Sequence, residues 1–379
     1  MKIGVNTRLL ISGKLDGIGW FTFETMKRIV KQHPEHDFFF FFDRPYSEEF
    51  VFADNVYPVV LTPKARHPLA FVYWFEFSVK NALKALGCDL FLSPDGYVSL
   101  RTKEPTLSVI HDLNFEHYPA DLPFHIRMFY RTMFPKYARK ADRLVTVSEF
   151  SKSDIEKQYG ISPSKIDVAY NGVNESFAPI SESQQEESRK KFAEGKRYFV
   201  FVGSLHPRKN ISRLFKAFDQ FSKNSREDIR LVIVGEKYYW NADMKSVFES
   251  MEFSERVMFS GRLSADELKV ATAGALSVVY VPYFEGFGIP ILEGFKCGVP
   301  VITSNVTSMP EVAGDAALLV DPFDVNSIAE TMKKIATDEA LRKELIQKGS
   351  ERVKQFSWDL TAKKLWGSVE KLARQKRLL

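Results

Sequence analysis

At 379 residues the chain is longer than one hydrophobic core usually supports, so two domains are expected. Apolar residues at 45% and charged residues at 27% exclude the disordered, collagen-like and other biased classes. The net charge of +5 suits phosphate-bearing ligands or an anionic membrane surface without selecting either, and no apolar run reaches the length of a membrane span.

Met1-Lys2-Ile3-Gly4-Val5 leads directly into a strand pattern, without the charged start and apolar core of a signal peptide, so a cytoplasmic location is expected. Short β-branched or aromatic runs then alternate with longer amphipathic stretches, the signature of βα repeats and parallel sheets. Strands are expected at Lys2–Val5, Phe38–Phe42, Val56–Val60, Asp89–Leu92, Thr106–Ile110 and Arg143–Val147, and helices at Gly19–Gln32, Tyr73–Leu86, Phe124–Lys140 and Ser151–Tyr159. The five consecutive phenylalanines are too few to cross a membrane and suit a strand buried on both faces. Cys88 and Cys297 show neither metal-ligand nor redox-pair spacing and read as reduced, partly buried small apolar residues.

The polar stretch Ser181–Ser188 interrupts the alternation and reads as a linker. Beyond it, strands are expected at Tyr198–Val202, Arg230–Val234, Val257–Phe259, Ser277–Val281, Val301–Ile302 and Ala317–Leu319. The expected fold is therefore α/β, two doubly wound Rossmann-like domains at 1–185 and 190–355 facing across a cleft, with a helical segment at 356–379. Ligands of such sheets bind beyond the carboxyl ends of the strands.

Gly203-Ser204-Leu205-His206-Pro207-Arg208-Lys209-Asn210 lies after one such strand and before a helix. Glycine admits close backbone approach, and Arg208 and Lys209 can meet phosphate oxygens, so the loop can cradle a diphosphate; a solvated basic loop is the competing reading. It matches neither the Walker pattern nor GxGxxG. Glu285-Gly286-Phe287-Gly288-Ile289-Pro290-Ile291-Leu292-Glu293 is more specific, since two carboxylates flank a Gly-rich turn that should open a helix. Glu293 offers paired acceptor oxygens suited to the vicinal hydroxyls of a ribose, Glu285 can reach a sugar hydroxyl, and the Gly286-Phe287-Gly288-Ile289 backbone can address phosphates. A capping acid and a surface acid are the bland alternative.

His111-Asp112 follows a strand of the first half, and its imidazole can exchange hydrogen bonds with a sugar hydroxyl or serve as a structural histidine. Gly17 and Gly19 lie in a glycine-rich loop after the first strand that can bend over a ligand. Gly235, Arg262 and Leu263, each after a strand of the second half, are the candidates for base recognition. Basic residues spread over both halves and no recognised reading module argue against nucleic acid as a partner. The basic, aromatic helix Phe124–Lys140 reads first as a solvated face and second as a peripheral contact with the inner face of an anionic membrane.

Taken in register, these segments resemble the family 4 glycosyltransferases of GT-B architecture, in the bacterial branch that contains many mannosyltransferases. The likeness covers nearly the whole chain, from Thr7-Arg8-Leu9-Leu10 and Gly17-Ile18-Gly19 through Val109-Ile110-His111-Asp112-Leu113, Val147-Ser148-Glu149-Phe150-Ser151 and Tyr170-Asn171-Gly172-Val173 to Arg208-Lys209-Asn210. It continues through Glu285 and Glu293, Cys297-Gly298-Val299-Pro300-Val301, Met309-Pro310-Glu311-Val312-Ala313-Gly314 and Phe356-Ser357-Trp358. The resemblance implies retaining, metal-independent transfer of a hexose from a nucleotide-diphosphate sugar, with GDP-mannose favoured, to a glycan or lipid-linked oligosaccharide in polysaccharide synthesis. It implies no cofactor, a donor domain in the second half, an acceptor side that includes Gly17 and Gly19 in the first, and a C-terminal helix that crosses back. His111, Lys209 and Glu285 become the catalytic candidates, with Gly203, Ser204, Arg208, Gly235, Arg262, Leu263, Gly286, Phe287, Gly288, Ile289 and Glu293 as further donor contacts. One position departs from the pattern: many members carry Arg where this chain has Ser204, and Arg208 is the candidate to supply that charge. A nucleotide-sugar epimerase or phosphorylase of the same architecture and a non-catalytic sugar-nucleotide-binding subunit are the rival readings.

Overall fold

A computed structural model describes every residue except Arg66 and Tyr238. The chain forms two compact units, the first made of Met1–Asn171 and Trp358–Leu379 and the second of Gly172–Ser357.

The sheet of unit 1 contains β1 (Lys2–Asn6), β2 (Asp37–Phe42), β3 (Val56–Val60), β4 (Leu90–Ser93), β5 (Thr106–Val109), β6 (Arg143–Thr146) and β7 (Ile166–Val168). They are all parallel in the order β3-β2-β1-β4-β5-β6-β7. Helices on both faces bury the strands twice over, which is why β2 can be nearly all phenylalanine: Phe38, Phe40, Phe41 and Phe42 are buried, and Phe39 stacks on Tyr57 of the edge strand at 5.2 Å. β7 was not expected. Its central Asp167 breaks the apolar run and is accommodated by Arg143 at 2.7 Å, Lys371 at 2.7 Å and Ser368 at 2.9 Å.

The expected helix Tyr73–Leu86 is longer, running from Pro68 to Leu86 with a π segment at Trp74–Val79. Within that segment Glu76 turns inward and accepts from the backbone N–H groups of Leu100 at 2.7 Å and Arg101 at 3.1 Å. The helix Trp358–Gln375 completes this unit against the helix Gly17–Gln32. Trp366 stacks on His33 at 4.0 Å, Thr361 donates to the Tyr170 carbonyl at 2.6 Å, and Leu365, Val369 and Leu372 are buried.

In unit 2 the strands are β8 (Tyr198–Val202), β9 (Arg230–Val234), β10 (Val257–Gly261), β11 (Ser277–Tyr280), β12 (Val301–Ser304) and β13 (Leu318–Val320), again all parallel, in the order β10-β9-β8-β11-β12-β13. The stretch Ser181–Ser188 is not a linker. It opens the helix Glu182–Ala193, whose first turn is closed by a capping box between Ser181 and Gln184, and whose other side buries Ser188, Phe192 and Ala193. The polar surface of this helix hides its narrow apolar edge in the sequence, and the chain passes between the units at Asn171–Gly172 instead. Cys88 and Cys297 are both buried free thiols, and burial pushes each up to about 12.

Candidate functional site

In unit 2 the strand order reverses between β8 and β11. Helices leaving these two neighbours pack on opposite faces, so their carboxyl-end loops diverge and leave a crevice, the place where open α/β sheets bind ligands. The Gly203–Asn210 loop follows β8, and the Pro282–Gly288 loop follows β11.

Two backbone features set the first loop. Gly203 has φ +149° and its N–H donates to the Val234 carbonyl at 2.9 Å. Pro207–Lys209 makes one 3-10 turn that ends at Asn210 in the left-handed region, where the Asn210 amide donates to the carbonyls of Val281 at 3.0 Å and Pro322 at 2.6 Å. The loop is thereby tied to the end of β11, and the Tyr283 N–H donates to the Arg208 carbonyl at 3.0 Å. The second loop is fixed by Ser308, whose hydroxyl donates to the carbonyls of Glu285 at 2.9 Å and Phe287 at 3.2 Å. Gly288, at φ +105°, opens the helix Ile289–Lys296 without a side-chain cap, and a Cβ there would lie 2.8 Å from Met309.

These constraints bring Arg208, Lys209 and Glu285 together. Arg208 Nη1 lies 2.5 Å and Lys209 Nζ 2.6 Å from the same oxygen, Glu285 Oε1. Burial alone would raise the Glu285 carboxyl, but Arg208 and then Lys209 outweigh it and hold the group below the usual range, so it is a carboxylate. Lys209 also donates to the Tyr280 hydroxyl, which burial keeps protonated. His206 adds no charge: burial, followed by Arg208 and Lys209, pushes it down to about 4. The cluster thus gathers two cations around one buried carboxylate at the carboxyl ends of β8 and β11.

Glu293 stands on the helix that follows Gly288. It is partly open to solvent yet densely surrounded by protein, and that desolvation pushes its carboxyl up to about 7. Among the described residues its side chain has no hydrogen-bond partner, unlike Glu285.

The other donor-side candidates stand at the same edge of the sheet. Gly235 follows β9 at φ +148°, and a Cβ there would fall 1.9 Å from the Gly203 carbonyl oxygen, so backbone packing alone requires glycine. Ser204 is exposed, and Gly286 is buried. Phe287 is buried and sends its ring against Phe356 at 5.8 Å, which commits its side chain to packing. Arg262 and Leu263 follow β10, two strands away from the crevice. Tyr280 was not singled out in the sequence, where an aromatic residue at the end of a buried strand looks like core.

Unit 1 has its own reversal between β1 and β4. His111, after β5, donates from Nε2 to the Pro94 carbonyl at 2.8 Å and meets Phe21 edge-on at 5.0 Å. Because a carbonyl can only accept, Nε2 carries the proton, and burial lowers the ring's pKa; the neutral ring therefore presents Nδ1 as an acceptor. Nothing in the sequence pattern marks the buried pair Arg8 and Asp95, 2.6 Å apart, with the guanidinium over the rings of Tyr97 at 4.7 Å and Phe71 at 4.9 Å. Asp95 further accepts from Asn6 at 2.7 Å. Gly17 is the exposed first residue of its helix, two residues earlier than expected, and Gly19 is held by its N–H bond to Asp16 at 2.8 Å. Among the described residues no helix is long and apolar enough to cross a membrane.

Residues 15–177 match the profile described as Glycosyltransferase Family 4, and residues 183–352 the profile described as Glycosyl transferases group 1. The O-antigen chain mannosyltransferase B of Escherichia coli is 30% identical over 278 residues, covering 71% of each chain. The O-antigen chain mannosyltransferase RfbU of Salmonella typhimurium (strain LT2) is 28% identical over 265 residues, covering 69% of this chain and 70% of the relative. Among solved structures, Anabaena Alr3699/HepE in complex with UDP and glucose has a TM-score of 0.77 at 16% identity, covering 98% of this chain and 100% of that one. A shared two-sheet architecture, matching profiles in both halves and a relative at 30% identity across most of its length lead to one conclusion: the chain belongs to the family 4 glycosyltransferases and is a glycosyltransferase of GT-B fold.

Proposed function

We propose that this glycosyltransferase moves a hexose, mannose in the favoured case, from a nucleoside-diphosphate sugar to a glycan or lipid-linked oligosaccharide during polysaccharide or cell-surface glycan synthesis. The observation that carries the reading is the Arg208–Lys209–Glu285 cluster in the crevice between β8 and β11. Breaking the anomeric bond leaves negative charge on the nucleoside diphosphate and positive character on the sugar. Fixed cations beside the diphosphate stabilise the former before the reaction begins. Lys209, with Arg208, takes that role here, and Glu285 holds both side chains in place when no donor is bound and takes a sugar hydroxyl when one is. Glu293, whose side chain has no hydrogen-bond partner among the described residues, is assigned to the ribose hydroxyls, and His111 to the catalytic set through its Nδ1 acceptor. In this reading the lysine and arginine do the work of a divalent ion, and the anomeric configuration is retained.

Mannose is favoured by the relatives named as mannosyltransferases and GDP-mannose by the resemblance of the sequence, while the Anabaena neighbour's UDP and glucose define the competing donor. A lipid-linked acceptor at a membrane is supported by the helix Phe124–Lys140, which exposes Phe124 and Met128 beside the basic Arg127 and Arg131.

The test is sugar transfer by the purified chain from GDP-mannose and from UDP-glucose, with and without chelator, to lipid-linked and soluble oligosaccharides. Chelator-resistant transfer from GDP-mannose that retains the anomeric configuration in the product's proton spectrum is expected. Strict dependence on a divalent ion, or transfer from UDP-glucose alone, would overturn the corresponding part. Conversion of donor without any acceptor would point to epimerase chemistry instead.

A further inference from the structure

At the opposite edge of unit 2, by the amino ends of β8, β11 and β12, basic residues line a concavity of about 300 Å³. Arg189 comes from the helix Glu182–Ala193, Arg197 immediately precedes β8, and Arg342 and Lys343 come from the helix Glu339–Arg352. Two of the four charges are balanced: Arg197 pairs with Glu227, and Lys343 pairs with Glu339 at 2.7 Å. Arg189 and Arg342 have no carboxylate at ion-pair distance among the described residues. Arg189 Nη2 reaches only the Gln185 amide oxygen at 3.5 Å, and its Nε is buried without a hydrogen-bond partner.

The guanidinium groups are mutually close. Arg342 Nη1 donates to the carbonyls of Ile335 at 2.7 Å and Ala336 at 3.2 Å, and Arg197 Nη2 reaches the same Ala336 carbonyl at 3.4 Å. Burial, then Arg342 and Arg189, lower the pKa of Arg197, a sign of like charges gathered without enough counter-charge. A surface helix normally spreads such charges apart. Here they converge on a pocket with an excess of two positive charges.

The geometry points to a second ligand site, in which Arg189, Arg197 and Arg342 bind a small phosphate-type dianion such as inorganic phosphate, pyrophosphate or a phosphomonoester. Planar guanidinium groups pair two N–H donors with two phosphate oxygens, and a dianion cancels the local excess of charge. The site is separate from the donor crevice. β8 runs from one to the other, and its five residues span roughly 15 Å at about 3.3 Å each. The inference does not depend on which donor or acceptor the enzyme uses.

Thermal unfolding and calorimetric titration with inorganic phosphate and with pyrophosphate test it, each against sodium chloride of equal ionic strength. The wild-type chain is expected to show a saturable, anion-specific rise in Tm, because a ligand that binds only the native state stabilises it. Arg189→Gln and Arg342→Gln should each remove most of that rise. Lys209→Met, which alters the donor crevice, should keep it. Should Arg342→Gln fail to fold for want of its bonds to Ile335 and Ala336, Arg189→Gln still decides the matter, since Arg189 makes no such bond. No anion-specific shift in the wild type, or an undiminished shift in Arg189→Gln, would overturn the site; a shift lost only in Lys209→Met would assign the anion to the donor crevice.

Discussion

Lys209 Nζ lies 2.6 Å from Glu285 Oε1, an oxygen it shares with Arg208. Lys209 also donates to the Tyr280 hydroxyl. Lys209→Met is expected to lower kcat by about 10²–10³ with little change in Tm, the usual effect of removing one preorganised transition-state donor. Arg208→Met should fall in the same range if Arg208 supplies the charge absent at Ser204. Steady-state rates beside circular dichroism check both, and full activity in either variant would remove that residue from the mechanism.

Glu293 sets a pH dependence. Its carboxyl is pushed up to about 7 in the fold, above its ordinary value, so between that value and pH 7 the native chain binds more protons than the unfolded one. Stability is therefore expected to fall as pH rises through this window and to level off above it. Glu293→Gln removes the effect, so the variant should be more stable than wild type at pH 8, by about 1–3 kcal/mol after discounting for partial exposure, and equal near pH 4.5. Urea unfolding at the two pH values reads the difference. Nucleoside diphosphate affinity should move the other way in wild type, strengthening as Glu293 ionises.

Gly235→Ala should be severe although no catalytic group is touched. The new Cβ would fall 1.9 Å from the Gly203 carbonyl oxygen, a backbone atom that cannot swing aside, at a φ of +148° that side chains avoid. A loss of about 2 kcal/mol or more in denaturant unfolding is expected. The neighbouring Gly203, where a Cβ would come no nearer than ordinary contact, 3.5 Å from Phe201 and 3.9 Å from Lys209, should cost less.

In unit 1, Asp95→Ala strands the buried Arg8 guanidinium beside Tyr97 and Phe71, and a loss of about 3–5 kcal/mol is expected. Changing both residues together, Arg8→Met with Asp95→Ala, should cost less than Asp95→Ala alone, because no uncompensated charge remains. A double-mutant cycle from urea curves measures this; additive losses would show that the pair is not coupled.

Most strands of both sheets were legible because parallel strands covered on two faces must be continuous apolar runs, as at Phe38–Phe42 and Leu231–Val234. β7 escaped because only three residues pair and the middle one is Asp167, tolerated through partners from β6 and from the distant helix Trp358–Gln375. The helix Glu182–Ala193 reads as a connection because its polarity outweighs a buried edge of a few residues, although Ser181 and Gln184 spell a capping box.

For the site, sequence could place Arg208 and Lys209 after one strand and Glu285 after another. Nothing in the order of residues said that β8 and β11 are neighbours. That follows from the strand order of the folded sheet, which also explains why Tyr280 joins Lys209 and why Arg8 finds Asp95 at a distance of 87 residues along the chain.

The helix Trp358–Gln375 belongs to the sheet that the chain began with, so unit 2 is inserted within unit 1. On the ribosome, all of unit 2 emerges before Trp358, Leu365 and Trp366 arrive to cover the helix Gly17–Gln32. The half that is synthesised first must wait with an apolar flank bare while the half begun later can already be complete, which makes the nascent first half a natural client for chaperones.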